Sequence, residues 1–448
     1  MGTDGLLILA LGVALTAVVT FPFWRAARRR EAEAAEWEAE AAEKGLREPV
    51  TLHPVVDTAA CIGSGTCVAV CPEDVLALRG GQAVAVAAAR CVGHGLCERA
   101  CPVDAIRLVF GTATRGVELP RIRENFESNI PGLYIIGELG GMGLIANAFE
   151  QAAQCVDGIA AEPDAGTALH GAGNGSGGGR GRSLDLAIVG CGPAGLAASL
   201  HARDRGLSFE TLEREPDVGG AVRSYPRRKL VMTREVRVPG YGALGLREIQ
   251  KEDLIRLWEE IVADTGLDVR TGVRVTGIER NGGGFTVETT GEAVRARRVI
   301  LAVGRRGTPR KLGVPGEDSP HVAYSLREPE AYTDLDILVV GGGDSAVEAA
   351  LALAAAGSRV AVSYRRHAFS RIKPGNRERV DAAVAARRIR VLWSSEVKEI
   401  RPAEAVIDVK GGPRRVKADA VFVFIGGEMP TKFLRAAGVE IDVKFGAP

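Results

Sequence analysis

The chain is 448 residues long, 46% hydrophobic and 25% charged, with 57 basic and 56 acidic side chains and a net charge of +1. That length permits two or three domains and a sizeable core. The even charge balance and the lack of any basic aromatic module argue against nucleic acid as a partner.

Residues 5–24 read GLLILALGVALTAVVTFPFW, a run without a charge. It is long enough to cross a bilayer as a helix. Phe23 and Trp24 stand where an interfacial aromatic is expected, and Arg25, Arg28, Arg29 and Arg30 follow at once. The positive-inside rule makes that end cytoplasmic. The expectation is a single-pass helix in the cell inner membrane, with the bulk of the chain in the cytoplasm. A cleaved signal peptide fits poorly, because no basic residue precedes the apolar run and its far flank is arginine-rich. Residues 31–44, EAEAAEWEAEAAEK, are strong helix formers with six glutamates. They predict a solvated spacer helix within residues 25–47, or else an acidic docking face.

Residues 61–102 hold six of the eight cysteines. They form two copies of one pattern, CIGSGTCVAVCPEDV and, thirty residues on, CVGHGLCERACPVDA. Thiolates repeated at fixed spacing, each copy closed by Cys-Pro, signal iron–sulfur ligation. Zinc prefers C-x2-C pairs, which are absent here, and structural disulfides need an oxidising compartment. The stretch resembles two-cluster bacterial ferredoxins, whose repeat is C-x2-C-x2-C-x3-C-P. A small α+β domain over residues 48–116 is expected. The second cysteine of each copy is replaced, by Ser64 in the first and His94 in the second. In the ferredoxin arrangement the last cysteine of each copy serves the other copy's cluster. The resemblance therefore implies one set of Cys61, Cys67 and Cys101 and another of Cys91, Cys97 and Cys71. Each set is one ligand short of a cubane. Ser64 oxygen or His94 nitrogen could fill the corner, or a 3Fe-4S cluster could replace a 4Fe-4S one. The sequence leaves these open.

Residues 117–160 contain NIPGLYIIGELGGMGLIANAFEQ, an apolar strand, a small-residue turn with an acid, and a Gly-rich entry to a helix. This resembles the C-terminal flavin motif of flavoproteins with two dinucleotide-binding domains, where a terminal Gly-Asp meets the ribityl chain of FAD. Here the pair is Gly137-Glu138. Residues 161–183 are a Gly-rich linker. Next, LDLAIVGCGPAGLAASL presents a buried strand, then Gly190, Gly192 and Gly195 as G-x-G-x-x-G, then a small-residue helix. Such a turn places a pyrophosphate on the helix N-terminus, with Pro193 and Ala194 beside it. The following strand ends at Glu213, placed to accept ribose hydroxyls. A second copy, LDILVVGGGDSAVEAALALAAAG, gives Gly341, Gly343 and Ala346 with Ser345 in the turn. Its next strand ends in Arg365 and Arg366 instead of an acid. That exchange favours a 2′-phosphate, hence NADPH over NADH. Arg371 and Lys373 are candidate helpers.

Residues 184–448 resemble the thioredoxin reductase group of flavoproteins, including the ferredoxin–NADP reductases built on that fold. The resemblance implies FAD and NADPH as cofactors, with Gly220 and Gly304 among the residues at the FAD site. It implies an FAD domain over 184–318, an NAD(P)H domain over 319–422, and a return to the FAD domain over 423–448. The fold class is α/β: two Rossmann-like domains plus the ferredoxin domain and the N-terminal helix. Two features depart from the family. No C-x-x-C lies in the nucleotide domain, so a dithiol relay is rejected. The terminal flavin motif sits upstream, at 117–160, which a circular rearrangement explains. The resulting expectation is an oxidoreductase carrying electrons between NADPH, FAD and two iron–sulfur clusters, in either direction, with no catalytic side chain required. A redox protein or a quinone is the expected partner, and a homodimer is left open. The alternative is a membrane-tethered redox sensor or electron-transfer subunit without turnover of its own.

Overall fold

The computed structural model describes residues 3–43, 46–47, 49, 52–113, 116–141, 143–166, 183–223, 225, 230–232, 235–245, 248–305, 308–369, 372 and 374–446. The chain divides into two units, Met1–Arg115 with Phe445–Pro448, and Gly116–Lys444. Most of the predicted linker, residues 167–182, lies outside the described residues, as do Arg371 and Lys373.

In the first unit the helix Thr3–Glu43 runs through Pro22. Among the described residues no helix is long and apolar enough to cross a membrane. Within the apolar stretch the side chains of residues 5–10 and 13 lie outside the described set. The second half of this helix is not the solvated spacer that its glutamates predict. Ala34 and Ala41 are buried with Leu46, Ala77, Val86 and Ala87, and Trp37 packs against them. Trp37 Nε1–H donates to the Asp74 carbonyl at 3.3 Å, and the Arg90 guanidinium sits 4.6 Å from the Trp37 ring centre. Glu38 pairs with both Arg47 and Arg79, and Glu31 accepts the Gly80 N–H at 3.2 Å. The helix is therefore docked on the cysteine-rich domain by a narrow apolar stripe flanked by carboxylates.

That domain is built on the antiparallel pair Leu52–Val56 and Ile106–Phe110 and the hairpin Leu76–Arg79 and Gln82–Ala85. Two single-turn helices, Thr66–Ala69 and Leu96–Arg99, each start from a left-handed glycine, Gly65 and Gly95. Asp74 and Asp104, three residues after each Cys-Pro cysteine, share φ values of 50° and 51°. The sequence repeat is thus a repeat of backbone geometry as well.

The second unit holds two α/β layers. In the first, Phe209–Leu212, Leu184–Val189 and Val294–Leu301 pair in parallel, and Gly284–Thr289 and Val275–Asn281 extend the sheet antiparallel. Leu133–Ile135 joins this sheet in parallel with the second half of Val294–Leu301. Leu133 and Ile135 are buried there with Ala187, Val189, Val299 and Leu301. The near-continuous apolar strands reflect burial on both faces. The helix Ile145–Ala160 packs beside Pro193–Asp204 through Phe149, Ala152 and Val156. Arg298, buried at the base of the same sheet, pairs with Glu162 and Asp164.

The second layer is a parallel sheet in the order Val322–Ala323, Ala420–Val423, Asp336–Val340, Arg359–Tyr364 and Ile389–Trp393. The helix Asp344–Ala355 packs on it, with Ala346, Val347, Ala349, Ala350 and Leu353 buried. The two crossings between the layers, Thr308–Pro309 and Gly427–Glu428, pair with each other antiparallel. Ile441–Lys444 closes the unit by pairing with Val117–Pro120.

Candidate cluster and dinucleotide sites

The six motif cysteines ring two cavities. One, with about 290 Å³ of open space, is lined by Cys61, Cys67 and Cys101 together with Ser64. The other, with about 330 Å³, is lined by Cys71, Cys91 and Cys97 together with His94. These are the crosswise groupings, one cysteine of each set coming from the other copy. The same grouping governs the electrostatics. Burial pushes the Cys67 thiol up, with Cys61 and Cys101 adding to the effect. Burial likewise pushes Cys91 up to about 12, with Cys97, Cys71 and Glu73 contributing. A thiol so placed can ligate only where a bound cation offsets the cost of its deprotonation. Among the described residues no three His, Cys, Asp or Glu side chains are grouped for a single metal ion. Spaces ringed by three thiols apiece suit a multi-iron cluster better.

Sequence reasoning missed the surroundings of these thiols. The Ala83 N–H points at Cys61 Sγ at 3.4 Å, and the Ala105 N–H donates to Cys101 Sγ at 3.2 Å. Such bonds tune a cluster's potential, but a backbone donor has no sequence signature. Glu73, buried in the wall of the second cavity, carried a signal that was available: an acid directly after Cys-Pro.

At the first dinucleotide turn, the strand Leu184–Val189 ends at Gly190 and the helix starts at Pro193. A Cβ on Gly195 would stand 1.8 Å from the Gly190 carbonyl oxygen, so only glycine lets this helix close on the turn. Gly220 faces Gly192, and Gly304 follows the strand Val294–Leu301. Glu213 is buried, and its two carboxylate oxygens accept the Cys191 N–H at 2.7 Å and the Glu215 N–H at 3.0 Å. Each oxygen keeps lone-pair capacity for a ribose hydroxyl. The structure brings Gly137 and Glu138 to this turn. Gly137 has φ +76°, and a Cβ there would lie 2.9 Å from Ala194 Cβ. Its N–H donates to Gln151 Oε1 at 2.7 Å, and half-buried Glu138 lies on the same short turn, Gly137–Gly140.

At the second turn, Gly341 abuts the Phe424 carbonyl and Ala346, and Gly343 caps Asp344–Ala355, which carries Ser345 in its first turn. A Cβ on Gly342 would overlap the Tyr364 ring, which stacks on Phe369 at 5.6 Å. Arg365 and Arg366 follow Tyr364 at the strand end, Arg365 exposed and Arg366 half-buried. That cationic edge suits a 2′-phosphate. The two cysteines outside the ferredoxin motif, Cys155 and Cys191, are both buried. Burial holds the Cys191 thiol up at about 12, with Glu213 adding to the effect.

Two dinucleotide turns at the ends of parallel strands, joined by paired crossings, define a two-domain flavin and pyridine-nucleotide oxidoreductase, here with a cluster-binding domain ahead of it in the chain. Residues 187–447 match the pyridine nucleotide-disulphide oxidoreductase family, and residues 54–108 match the 4Fe-4S dicluster domain. The chain belongs to the pyridine nucleotide-disulphide oxidoreductase family. It is 30% identical to the bacilliredoxin reductase Bdr of Bacillus subtilis, across 58% of this chain and 82% of that protein. It is 31% identical to the ferredoxin–NADP reductase of Ignicoccus hospitalis, across 58% of this chain and 83% of that protein. Among solved structures, the bacillithiol disulfide reductase Bdr (YpdA) of Bacillus cereus aligns with a TM-score of 0.54 at 30% identity, covering 58% of this chain and 83% of that one. The chain is an oxidoreductase with FAD, NADPH and iron–sulfur clusters as its cofactors and a 4Fe-4S dicluster domain in the same polypeptide.

Proposed function

We propose that this chain is a membrane-anchored electron transferase that moves electrons between NADPH and a one-electron acceptor, a redox protein or a quinone, by way of FAD and two iron–sulfur clusters. The observation that carries it is the pairing of a family reductase lacking an accessible dithiol with a domain whose six cysteines ring two cavities. Cys155 and Cys191 are free and fully buried, so neither thiol is open to a disulfide substrate. FAD supplies the exchange between hydride pairs and single electrons, and clusters carry single electrons.

In this reading Gly190, Gly192, Gly195 and the Pro193 helix hold the FAD pyrophosphate, and Glu213 orients the adenosine ribose. Residues 117–160 are the displaced last strand and helix of the FAD domain, bringing Gly137 and Glu138 to the flavin side, while 161–183 joins the old ends. The parallel pairing of Leu133–Ile135 with Val299–Leu301 supports this, as does the approach of Gly137 to Ala194. Gly341, Gly343, Ser345 and Ala346 receive the NADPH pyrophosphate, and Arg365 and Arg366 its 2′-phosphate. The anchor rests on the uncharged run at 5–24 and the arginines after it.

Anaerobic addition of NADPH to the purified full-length protein tests this. Bleaching of the flavin followed by bleaching of the clusters is expected. Tight NADPH binding without reduction of either chromophore would refute electron transfer and favour a sensor. Washing membranes with carbonate tests the anchor, which predicts that the protein stays in the pellet; release into the wash would refute it.

A further inference from the structure

We propose that the two clusters are unlike by construction. His94 supplies the fourth ligand of the cluster held by Cys71, Cys91 and Cys97, whereas the cluster held by Cys61, Cys67 and Cys101 has no fourth protein ligand and opens one iron to solvent. This rests on the assignment of the six cysteines to iron–sulfur clusters.

The two loops are copies in backbone as well as in sequence. Gly63 and Gly65 flank Ser64 with φ of 71° and 74°, and Gly93 and Gly95 flank His94 with φ of 84° and 70°. Similar arches carry the two residues, and each residue lines the cavity of its own copy's first two cysteines. Ser64 and His94 therefore occupy equivalent corners, and their chemistry decides what each corner does. A neutral imidazole offers a lone pair to iron without losing a proton. A serine hydroxyl must be deprotonated to replace a thiolate, and Ser64 is exposed, so water competes for its corner. Its oxygen already accepts a hydrogen bond from Thr66 Oγ1 at 3.3 Å. The rim differs too. Ile62 and Val103, which line the Ser64 cavity, are 66% and 38% exposed. His94, by contrast, is half-buried in a cavity that also contains buried Glu73.

An iron without a protein ligand is the one that oxidation removes. A [4Fe-4S]2+ cluster that gives one electron to ferricyanide and releases one Fe2+ leaves [3Fe-4S]+, with charge and iron conserved. The full-length protein, purified without oxygen and labelled with 15N-histidine, is examined by pulsed electron paramagnetic resonance after reduction with dithionite. The expected result is a nitrogen coupling on one cluster that changes with the label, disappears in His94→Ala and persists in Ser64→Ala. His94→Cys, which restores a thiolate, keeps the cluster and loses the coupling. Stoichiometric ferricyanide is expected to release one iron per chain and to produce one three-iron signal, both suppressed in Ser64→Cys. Intact clusters without nitrogen coupling, a coupling that survives His94→Ala, or two irons released per chain would overturn the inference. Protein without iron and sulfide, or with zinc in their place, would overturn the cluster assignment beneath it.

Discussion

Replacing Gly137 by alanine tests whether the upstream segment completes the FAD site. The residue has φ +76°, and its new Cβ would stand 2.9 Å from Ala194 Cβ, next to the pyrophosphate turn. The left-handed backbone costs about 1–2 kcal/mol for a residue with a Cβ. The methyl–methyl overlap adds about 1 kcal/mol, at the low end of overpacking costs. The turn can relieve this only by moving Gly137 and Glu138 away from the helix at Pro193. If the whole 2–3 kcal/mol is relieved that way, FAD affinity falls about 30- to 150-fold, at 1.4 kcal/mol per factor of ten. The assay is fluorescence titration of deflavinated protein with FAD, with iron and sulfide counted alongside. Gly143→Ala is the control, because a Cβ there meets nothing closer than 3.7 Å. The variant should bind FAD weakly with its metal content intact, and the control should match wild type. Wild-type FAD affinity in a folded Gly137→Ala protein would refute the placement of this segment at the flavin.

Three further outcomes are expected. Arg365→Ala with Arg366→Ala should lower kcat/KM for NADPH about 10- to 100-fold, the worth of one or two charge-assisted contacts, and that for NADH less than threefold; equal losses would refute the 2′-phosphate role. Trp37→Ala should cost about 1–2 kcal/mol, since the ring is half-buried between the helix and the ferredoxin domain, and should expose residues 31–43 to protease; unchanged proteolysis would restore the free-spacer picture. Bidentate Arg359 and then Lys417 hold the Asp336 carboxyl down at about 2. Its stabilisation is therefore full above the ordinary carboxylate range and lost as pH falls from about 4 to 2. Asp336→Asn should cost about 1 kcal/mol in urea melts at pH 7, a value discounted for the exposure of both cations. That cost should shrink toward pH 2, and a constant difference across this window would refute the linkage.

The sequence was most legible where chemistry and spacing coincide. Six cysteines at repeated intervals carry the ferredoxin resemblance, that resemblance implies crosswise groups, and those groups line the two cavities. The two glycine turns were equally readable, because a Cβ at Gly195 or Gly341 would strike backbone carbonyl oxygen. The helix at 31–43 was misread for a physical reason. Its contact stripe is Ala34, Trp37 and Ala41, an i, i+3, i+7 set in which two members are alanine. In an Ala- and Glu-rich segment such a stripe looks like helix propensity and nothing more. The hydrogen bonds to Cys61 and Cys101 come from backbone N–H groups brought close by tertiary packing, which no residue type announces.

The most direct test of the electron route is stopped-flow reduction in a chain with Cys67→Ala and Cys97→Ala, one thiolate removed from each cavity. NADPH should bleach the flavin at the wild-type rate, while reduction of a one-electron protein acceptor such as cytochrome c falls at least tenfold. Acceptor reduction at the wild-type rate with both clusters lost would contradict the account, because the electrons would then leave from the flavin directly.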